Sequence, residues 1–259
     1  MNLLHRLFDR FNLKTTIGDS STRYRVALRD ESNRLGTETP LSRALRQAAD
    51  EEWSDDELTT FARIEVARHQ VIANTCPLGA PYKPADITVG RMAERASKGP
   101  DEARLLYALT LHQEPTAPLE MGTCCGVSTA YQAHGLPMHS LLTSLELSPI
   151  LVGAARMVLD LSGADQSKVD IHVGDFADTF KDALGDPAPD FAFVDGNHYF
   201  GPTMAYFGAL VDVCKPGAML VFDDINWSDE MKRAWLEIRS HERVAEYADV
   251  HTMGVVVLR

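Results

Sequence analysis

After about residue 90, the sequence alternates short apolar runs with segments of helical periodicity, and this pattern limits the folds open to the chain. Continuous apolar runs are typical of strands that are buried on both faces of a sheet. Their alternation with helices indicates a parallel sheet joined by right-handed crossovers. The predicted strands are 118–121, 141–147, 169–173, 191–194 and 219–222, and the predicted helices are 127–134, 149–162, 176–184, 202–213 and 229–240.

The C-terminal part departs from this alternation. Two strand-like runs, 243–250 and 253–258, are separated by a connection that is too short for a crossover helix, so they should form an antiparallel hairpin. The sequence therefore predicts an α/β, Rossmann-like fold whose parallel sheet closes with antiparallel strands.

A mainly helical segment, 1–86, is predicted to precede the α/β domain, 87–259. Ser54 and Glu57 have the spacing of a capping box, which predicts a helix from there to about residue 74. Ser, Thr, Asn and Asp are frequent between about residues 18 and 40, which indicates loops. We expect the segment to act as a lid, a substrate-binding element or an oligomerisation surface.

The composition of the chain limits the classes of molecule that it is expected to bind. The formal net charge is −12, and an acidic surface repels both phosphate backbones and anionic lipids, so we expect neither nucleic acid nor membrane as a partner. No apolar run approaches the length of a membrane span, and charged residues interrupt the apolar N-terminus as they would not in a signal peptide. Four cysteines without CxxC spacing indicate reduced thiols. These features predict a soluble, cytoplasmic protein that acts on a small neutral or cationic molecule.

A second apolar feature bears on assembly. Five N-terminal residues form an apolar stripe, which favours core packing or a homodimer contact over a membrane anchor. They are Leu3, Leu4, Leu7, Phe8 and Phe11.

The most informative motif is a glycine turn that follows the first predicted strand, Glu120-Met121-Gly122-Thr123-Cys124-Cys125-Gly126. Gly122 allows a tight turn beside a ligand, and Gly126 allows the next helix to pack close to the strand. Ser128 and Thr129 then open a helix whose N-terminal amides favour a carboxylate. The spacing is not G-x-G-x-x-G, which weakens a nicotinamide or flavin interpretation. A plain strand-to-helix turn remains an alternative.

Residues at the next two strand ends extend this motif. Glu146 ends the second strand, where an acidic side chain can accept hydrogen bonds from both ribose hydroxyls of an adenosine. Asp175 follows the third strand and could accept from the adenine amino group, while Phe176 could pack on the ring. Three consecutive strand ends thus carry the chemistry of an adenosine pocket, although Glu146 could also be a solvated charge.

The chain resembles the bacterial class I S-adenosylmethionine-dependent O-methyltransferases, of the small-molecule and sugar-modifying kind, which are often metal-dependent. The resemblance covers about residues 87–259, and it implies S-adenosylmethionine as the cofactor, with Glu120, Thr123 and Asp195 among the residues around it. An antiparallel final strand is also the arrangement expected of that class. The matching stretches are residues 96–100 with 105–107, 119–122 through 126–129, the Phe193-Val194-Asp195-Gly196-Asn197-His198 motif, and 215–217 through 222–225.

Carboxylates follow the fourth and fifth strands. Asp195 ends one strand, and Asp223 and Asp224 end its neighbour, so the three should meet in one crevice. Three like charges are costly together unless a cation neutralises them, and all-oxygen ligands suit Mg²⁺. The resemblance likewise implies a metal ion at these places. A helix-entry charge or a hydrogen-bonded turn is the alternative for the Asp pair.

A candidate base lies beside these carboxylates. His198, three residues beyond Asp195, lies where the resembling enzymes have a basic side chain, and its titration range suits proton removal from a hydroxyl. It could instead cap the following helix. Together, His198 and Asp195 are the predicted catalytic residues.

The sequence thus predicts an O-methyltransferase that acts on a small hydroxylated molecule. Three alternatives stay open. The acidic residues could hold an amine for methyl or aminopropyl transfer, the pocket could bind the cofactor without catalysis, or the fold could bind NAD.

Overall fold

The computed structural model describes residues 19–36, 38–82 and 86–259. The apolar N-terminal stripe and its predicted role in a dimer lie outside the described residues. The first described elements are helices: α1 (Asp19–Leu35), α2 (Pro40–Asp50), α3 (Asp55–Ile72), α4 (Val89–Ala96) and α5 (Pro100–Gln113).

Strands and helices then alternate as the sequence predicts. They are β1 (Pro118–Met121), α6 (Val127–Gly135), β2 (Leu142–Glu146), α7 (Pro149–Ser162), a 3-10 turn (Gln166–Lys168), β3 (Val169–Val173), α8 (Phe176–Ala183), β4 (Phe191–Val194), α9 (Phe200–Val213), β5 (Met219–Phe222), α10 (Asp229–Arg239), β6 (Val244–Val250) and β7 (Met253–Leu258).

The strands form one sheet in the order β3-β2-β1-β4-β5-β7-β6. The first five strands are parallel, and β7 pairs antiparallel with both β5 and β6. This confirms the predicted parallel sheet with an antiparallel C-terminal hairpin. The order reverses between β1 and β4, so the carboxyl ends of these two strands flank the crevice where ligands bind in open α/β sheets.

Helices cover both faces of the sheet, which explains why the central strands β4 and β5 are apolar throughout. Phe191 and Phe193 of β4 pack against the cluster that includes α1, α2 and α5. Ala192 and Val194 of the same strand pack against α9 and α10 on the other face. Alternate side chains of β4 thus enter two cores, so this strand has no polar face.

The helix α3 begins at the predicted capping box. The Ser54 hydroxyl accepts from the backbone of Glu57, and the Glu57 carboxylate accepts from the Ser54 amide at 2.7 Å. Phe61 of this helix packs against Tyr131 of α6 with ring centroids 5.3 Å apart. The helix therefore shares a core with the α/β part, and a boundary between 1–86 and 87–259 stays a prediction.

One expectation for this region is wrong. Residues Asp19–Leu35, which the sequence suggested to be loops, form helix α1. Tyr24 and Leu28, one helical turn apart, are buried against Leu41 and Leu45 of α2. Packing of this narrow apolar stripe outweighs the weak helix propensity of residues such as Asp30 and Asn33 on the exposed side.

Candidate active site

The glycine turn lies at the switch point between β1 and β4. Gly122 has φ +103°, and a Cβ there would lie 2.1 Å from the carbonyl oxygen of Asp195. Gly126 has φ +78° and begins α6, and a Cβ there would lie 2.7 Å from Cα of Ala155 in α7. Both positions therefore require glycine, the first because the turn touches the end of β4. The N-cap residue of α6 is Gly126, so no N-cap side chain accepts a hydrogen bond from the first amides of the helix.

Glu120 lies beneath this turn and is fully buried. Its carboxylate accepts from Ser128 at 2.7 Å and Thr129 at 2.6 Å on α6. It also accepts from Gln132 at 2.7 Å and Ser144 of β2 at 2.6 Å. Burial raises the pKa of Glu120, and these donors oppose the shift.

In this network, the polar residues that were predicted to bind the cofactor hydrogen-bond to one another beneath the turn. The hydroxyl of Thr123 is also buried and bonded to Ser144 at 2.5 Å. The side chains of Glu120, Ser128 and Thr129 thus connect β1, β2 and α6 and fix the start of the helix. Direct contact of these side chains with a cofactor stays a prediction.

Glu146 reaches the same turn from the end of β2. One oxygen accepts from the Cys124 amide at 2.8 Å, and the other accepts from the Ser148 amide at 2.8 Å and the Tyr82 hydroxyl at 3.1 Å. The predicted ribose-binding carboxylate is therefore present at the glycine turn. Its hydrogen bond with Tyr82 was not predicted from the sequence.

The third strand end is more exposed. Asp175 caps α8 by accepting from the Ala177 amide at 2.8 Å. Phe176 lies against Gly196, where a Cβ would come within 2.5 Å of its ring, and its centroid is 6.2 Å from that of Tyr206. Phe176 is thus next to the end of β4, whereas the Asp175 carboxylate accepts a hydrogen bond from the first turn of α8. Their contacts with adenine stay predictions.

The predicted catalytic residues converge at the ends of β4 and β5. His198 Nε2 lies 3.6 Å from an oxygen of Asp195 and 3.7 Å from an oxygen of Asp224. Asp223 forms an ion pair with Lys98, whose side chain is only 10% exposed. Asp224 adopts φ +52°, a left-handed conformation that an Asp tolerates at some cost and that occurs at functional sites.

The electrostatics of this cluster follow from its burial. Burial and the neighbouring Asp223 carboxylate raise the pKa of Asp195 well above its usual range. Burial also raises the pKa of Asp223, against the opposing charge of Lys98. Burial alone would lower the pKa of Lys98, but Asp223 and Asp195 outweigh it and raise that pKa. Lys98 is thus a charged counter-ion to the acidic cluster.

Replacing Asp195 by Asn should stabilise the fold at alkaline pH. Because the pKa of Asp195 is higher in the folded than in the unfolded chain, its ionisation favours unfolding as pH rises above the unfolded value. In chelator, we expect the melting temperature of Asp195→Asn to exceed the wild-type value at pH 8 by about 2–4 °C, or ~1 kcal/mol, and the difference to shrink towards pH 4. A lower melting temperature at pH 8 would contradict this charge balance.

A cavity of about 850 Å³ opens over these carboxylates. Polar groups form one part of its lining, and the aromatic side chains of Phe176, Tyr199 and Trp227 form another. Trp227 is 74% exposed and so has a large free face at the cavity. The cavity can therefore take a small molecule that presents a polar group to His198 and an apolar surface to the aromatic residues.

A metal ion was also predicted here, and the donors only partly suit one. Asp223 Oδ1 is buried and no donor group is hydrogen-bonded to it, which would suit a cation, although the neighbouring Asp195 carboxyl group can share a proton with the Asp223 side chain. However, Lys98 holds the other oxygen, and among residues 19–36, 38–82 and 86–259 no group of three or more His, Cys, Asp or Glu is placed to hold an ion. The carboxylates have the right chemistry, but Lys98 already supplies one positive charge.

Sequence reasoning assigned no role to three residues of this site. Lys98 falls in a matching stretch, and its burial beside Asp223 could not be inferred from that stretch. Gln132 lies in the second turn of α6, where no sequence motif marks it, and Tyr82 lies 64 residues before its partner Glu146. Only tertiary contacts identify them.

The strand order, with its antiparallel C-terminal strands, is that of the class I methyltransferase fold, and together with the matches that follow it confirms the resemblance. Residues 119–225 match the family described as "Methyltransferase domain". The matched segment runs from β1 through the glycine turn to the two Asp residues after β5.

Curated relatives are O-methyltransferases. A catechol O-methyltransferase of Niastella koreensis is 28% identical over 131 residues, which are 50% of this chain and 58% of that protein. A human transmembrane O-methyltransferase is 34% identical over 80 residues, 31% of this chain and 28% of that protein. The chain thus spans less than two thirds of the length of these relatives.

Solved structures share the fold. An O-methyltransferase of Bacillus cereus in complex with S-adenosylhomocysteine has a TM-score of 0.58 at 21% identity, covering 76% of this chain and 90% of that one. An O-methyltransferase from Streptomyces achromogenes in complex with S-adenosylmethionine, involved in tomaymycin synthesis, has a TM-score of 0.57 at 18% identity, covering 77% and 89%. In the described part of the chain, no helix is both long and apolar enough to span a bilayer.

Proposed function

We propose that the protein is an S-adenosylmethionine-dependent O-methyltransferase that acts on a hydroxyl group of a small molecule. The observation that carries this proposal is the contact between the glycine turn and the end of β4. Gly122 lies directly against the Asp195 backbone, and the Asp195 side chain is 3.6 Å from His198 Nε2. A donor bound at the turn would therefore lie beside a base that faces the cavity.

The chemistry requires little more than position and proton removal. The acceptor oxygen attacks the methyl carbon in line with the carbon–sulfur bond, that bond breaks, and S-adenosylhomocysteine leaves. His198 takes the hydroxyl proton at Nε2. The carboxylates of Asp195 and Asp224, both within 4 Å of that nitrogen, stabilise the resulting imidazolium.

Mg²⁺ is part of this proposal. Asp195, Asp223 and Asp224 would hold the ion, and the orphaned Asp223 Oδ1 supports its presence. A bound ion would lower the pKa of a coordinated hydroxyl. Lys98 would then have to share or release Asp223, since it now holds one of its oxygens.

Chelation should lower turnover without lowering cofactor affinity. With catechol as the acceptor, chosen because relatives are catechol O-methyltransferases, we expect at least about a tenfold loss of S-adenosylhomocysteine formation in EDTA and recovery with Mg²⁺. Titration calorimetry of S-adenosylhomocysteine in EDTA is the control, since in this proposal the glycine turn binds the cofactor without help from the ion. Full activity in EDTA, together with full activity of Asp223→Asn, would remove the metal from the proposal.

A second candidate is transfer to nitrogen, by methyl or aminopropyl transfer. The acidic floor of the cavity, with its orphaned Asp223 oxygen, suits a protonated amine as well as a metal ion. A parallel screen of catechols, sugars and amines separates the two, because only the productive class releases demethylated cofactor. If S-adenosylhomocysteine binds and no acceptor reacts, a non-catalytic binding module is favoured. Cytoplasmic location and a homodimer remain predictions of the sequence.

A further inference from the structure

The Tyr82 hydroxyl lies where the proposed cofactor would need the Glu146 carboxylate. Tyr82 comes from the segment between α3 and α4, far in sequence from the glycine turn, and donates to Glu146 Oε1 at 3.1 Å. Glu146 itself is 6% exposed, so few water molecules can reach it. Burial and the charge of Glu146 raise the pKa of Tyr82, which keeps its hydroxyl protonated as a donor.

The Glu146 carboxylate cannot accept hydrogen bonds from all of its present donors and from a ribose at the same time. A carboxylate has about four lone-pair sites. Three are used, by the amides of Cys124 and Ser148 and by the hydroxyl of Tyr82. A ribose that donates two hydroxyls would bring the total to five. One present donor must therefore leave when the ribose binds.

The two amides are fixed and Tyr82 is not. The Cys124 amide belongs to the turn between Gly122 and Gly126, both of which are held by close backbone contacts. The Ser148 amide belongs to the N-cap of α7, where the Ser148 hydroxyl accepts from Leu151. Tyr82 is attached through a side chain that can rotate, so it is the donor that leaves.

The backbone hydrogen bonds near Tyr82 do not involve its side chain. Pro77 pairs with Thr88, with hydrogen bonds of 2.9 Å from Leu78 to Ile87 and from Val89 to Cys76. The Tyr82 amide donates to the Gly79 carbonyl at 3.1 Å. Rotation of the Tyr82 side chain away from Glu146 therefore breaks none of these backbone bonds.

We propose that Tyr82 sets the affinity of the cofactor site, because its hydroxyl stands in for a ribose hydroxyl and competes with the cofactor for Glu146. The proposal rests on the proposed function. When the site is empty, Tyr82 supplies a third donor to a buried carboxylate that otherwise has only the Cys124 and Ser148 amides. When the cofactor binds, its ribose replaces the phenol, so part of its binding free energy is spent on displacing Tyr82.

The test is the affinity of Tyr82→Phe for S-adenosylhomocysteine by titration calorimetry. Removing the hydroxyl removes the competitor and keeps the ring, so we expect the dissociation constant to fall about tenfold, since hydrogen bonds to charged groups lie in that range. Tyr107→Phe is the matched control, because its hydroxyl also bonds a carboxylate, that of Glu57, outside this site. We expect wild-type affinity for that variant.

Each possible result supports or overturns either the competition at Glu146 or the proposed function. An unchanged or weaker affinity of Tyr82→Phe, with wild-type protein that binds the ligand and transfers methyl groups, overturns the competition and leaves the proposed function intact. If neither wild-type nor variant binds S-adenosylhomocysteine while both melt cooperatively, the proposed function fails and the competition with it. A melting temperature of unliganded Tyr82→Phe below that of wild-type supports the satisfying role of the phenol.

Discussion

The His198→Ala variant should lose about 10²–10⁴-fold in kcat, because general acid–base catalysis typically contributes that much. The imidazole is the basic group between the Asp195 and Asp224 carboxylates, and Lys98 is committed to Asp223 by an ion pair. The affinity for S-adenosylhomocysteine should not change, since the described ion pairs of His198 are with Asp195 and Asp224 and its side chain makes no described hydrogen bond to the glycine turn or to Glu146. Steady-state formation of S-adenosylhomocysteine and calorimetry of its binding measure the two quantities separately.

The control for this variant is His172→Ala. His172 lies on β3 and pairs with Asp170 at 2.9 Å, away from the carboxylates of the site. We expect it to keep wild-type kcat. A kcat of His198→Ala within threefold of wild-type would show that another group, or the metal-lowered pKa of the acceptor alone, removes the proton.

The Gly122→Ala variant should be strongly destabilised. Its φ of +103° is unfavourable for a side chain, and the added Cβ would lie 2.1 Å from a backbone oxygen that cannot move aside without shifting β4. We expect a loss of about 3 kcal/mol or more in the free energy of unfolding. For a chain of this size, that corresponds to a fall in melting temperature of roughly 6–12 °C. Cofactor binding should be lost as well.

Gly153→Ala is the matched control. Gly153 lies inside α7, where a Cβ would meet nothing within 4 Å and φ is not positive. The substitution should be neutral or stabilise the fold by about 0.5–1 kcal/mol. If Gly122→Ala melted within 2 °C of wild-type, the close contact between the turn and the end of β4 would be wrong.

The strands could be predicted well because burial on both faces leaves a local mark. Four buried strands, β1, β3, β4 and β5, have the predicted bounds, and β2 is one residue shorter at each end. The runs of β4 and β5 are apolar on both faces, so they can be read without knowledge of their neighbours, whereas β1 and β3 keep enough apolar residues to be recognised around Glu120, Asp170 and His172. The loops expected before Pro40 were wrong for the opposite reason: α1 is held by a few buried contacts with α2, and its composition does not reveal them.

The site was predictable where chemistry sits at a strand end. Asp195, Asp223 and Asp224 directly follow apolar runs, and parallel strands bring their carboxyl ends together. Their electrostatic balance was not predictable, because it depends on Lys98, which lies about 100 residues before Asp195. The same applies to Glu120: its position in the motif is visible, while its use as the buried anchor of α6 depends on four side chains that fold around it.

The sequence by itself determined the order of elements, the glycine turn and the strand ends that carry carboxylates, since each is encoded by neighbouring residues through periodicity, backbone freedom or spacing. Tertiary structure decided which donors those carboxylates meet. Lys98 on Asp223 and Tyr82 on Glu146 are contacts between segments distant in the chain. Burial makes such contacts energetically important, because a carboxylate removed from water needs partners from wherever the fold brings them.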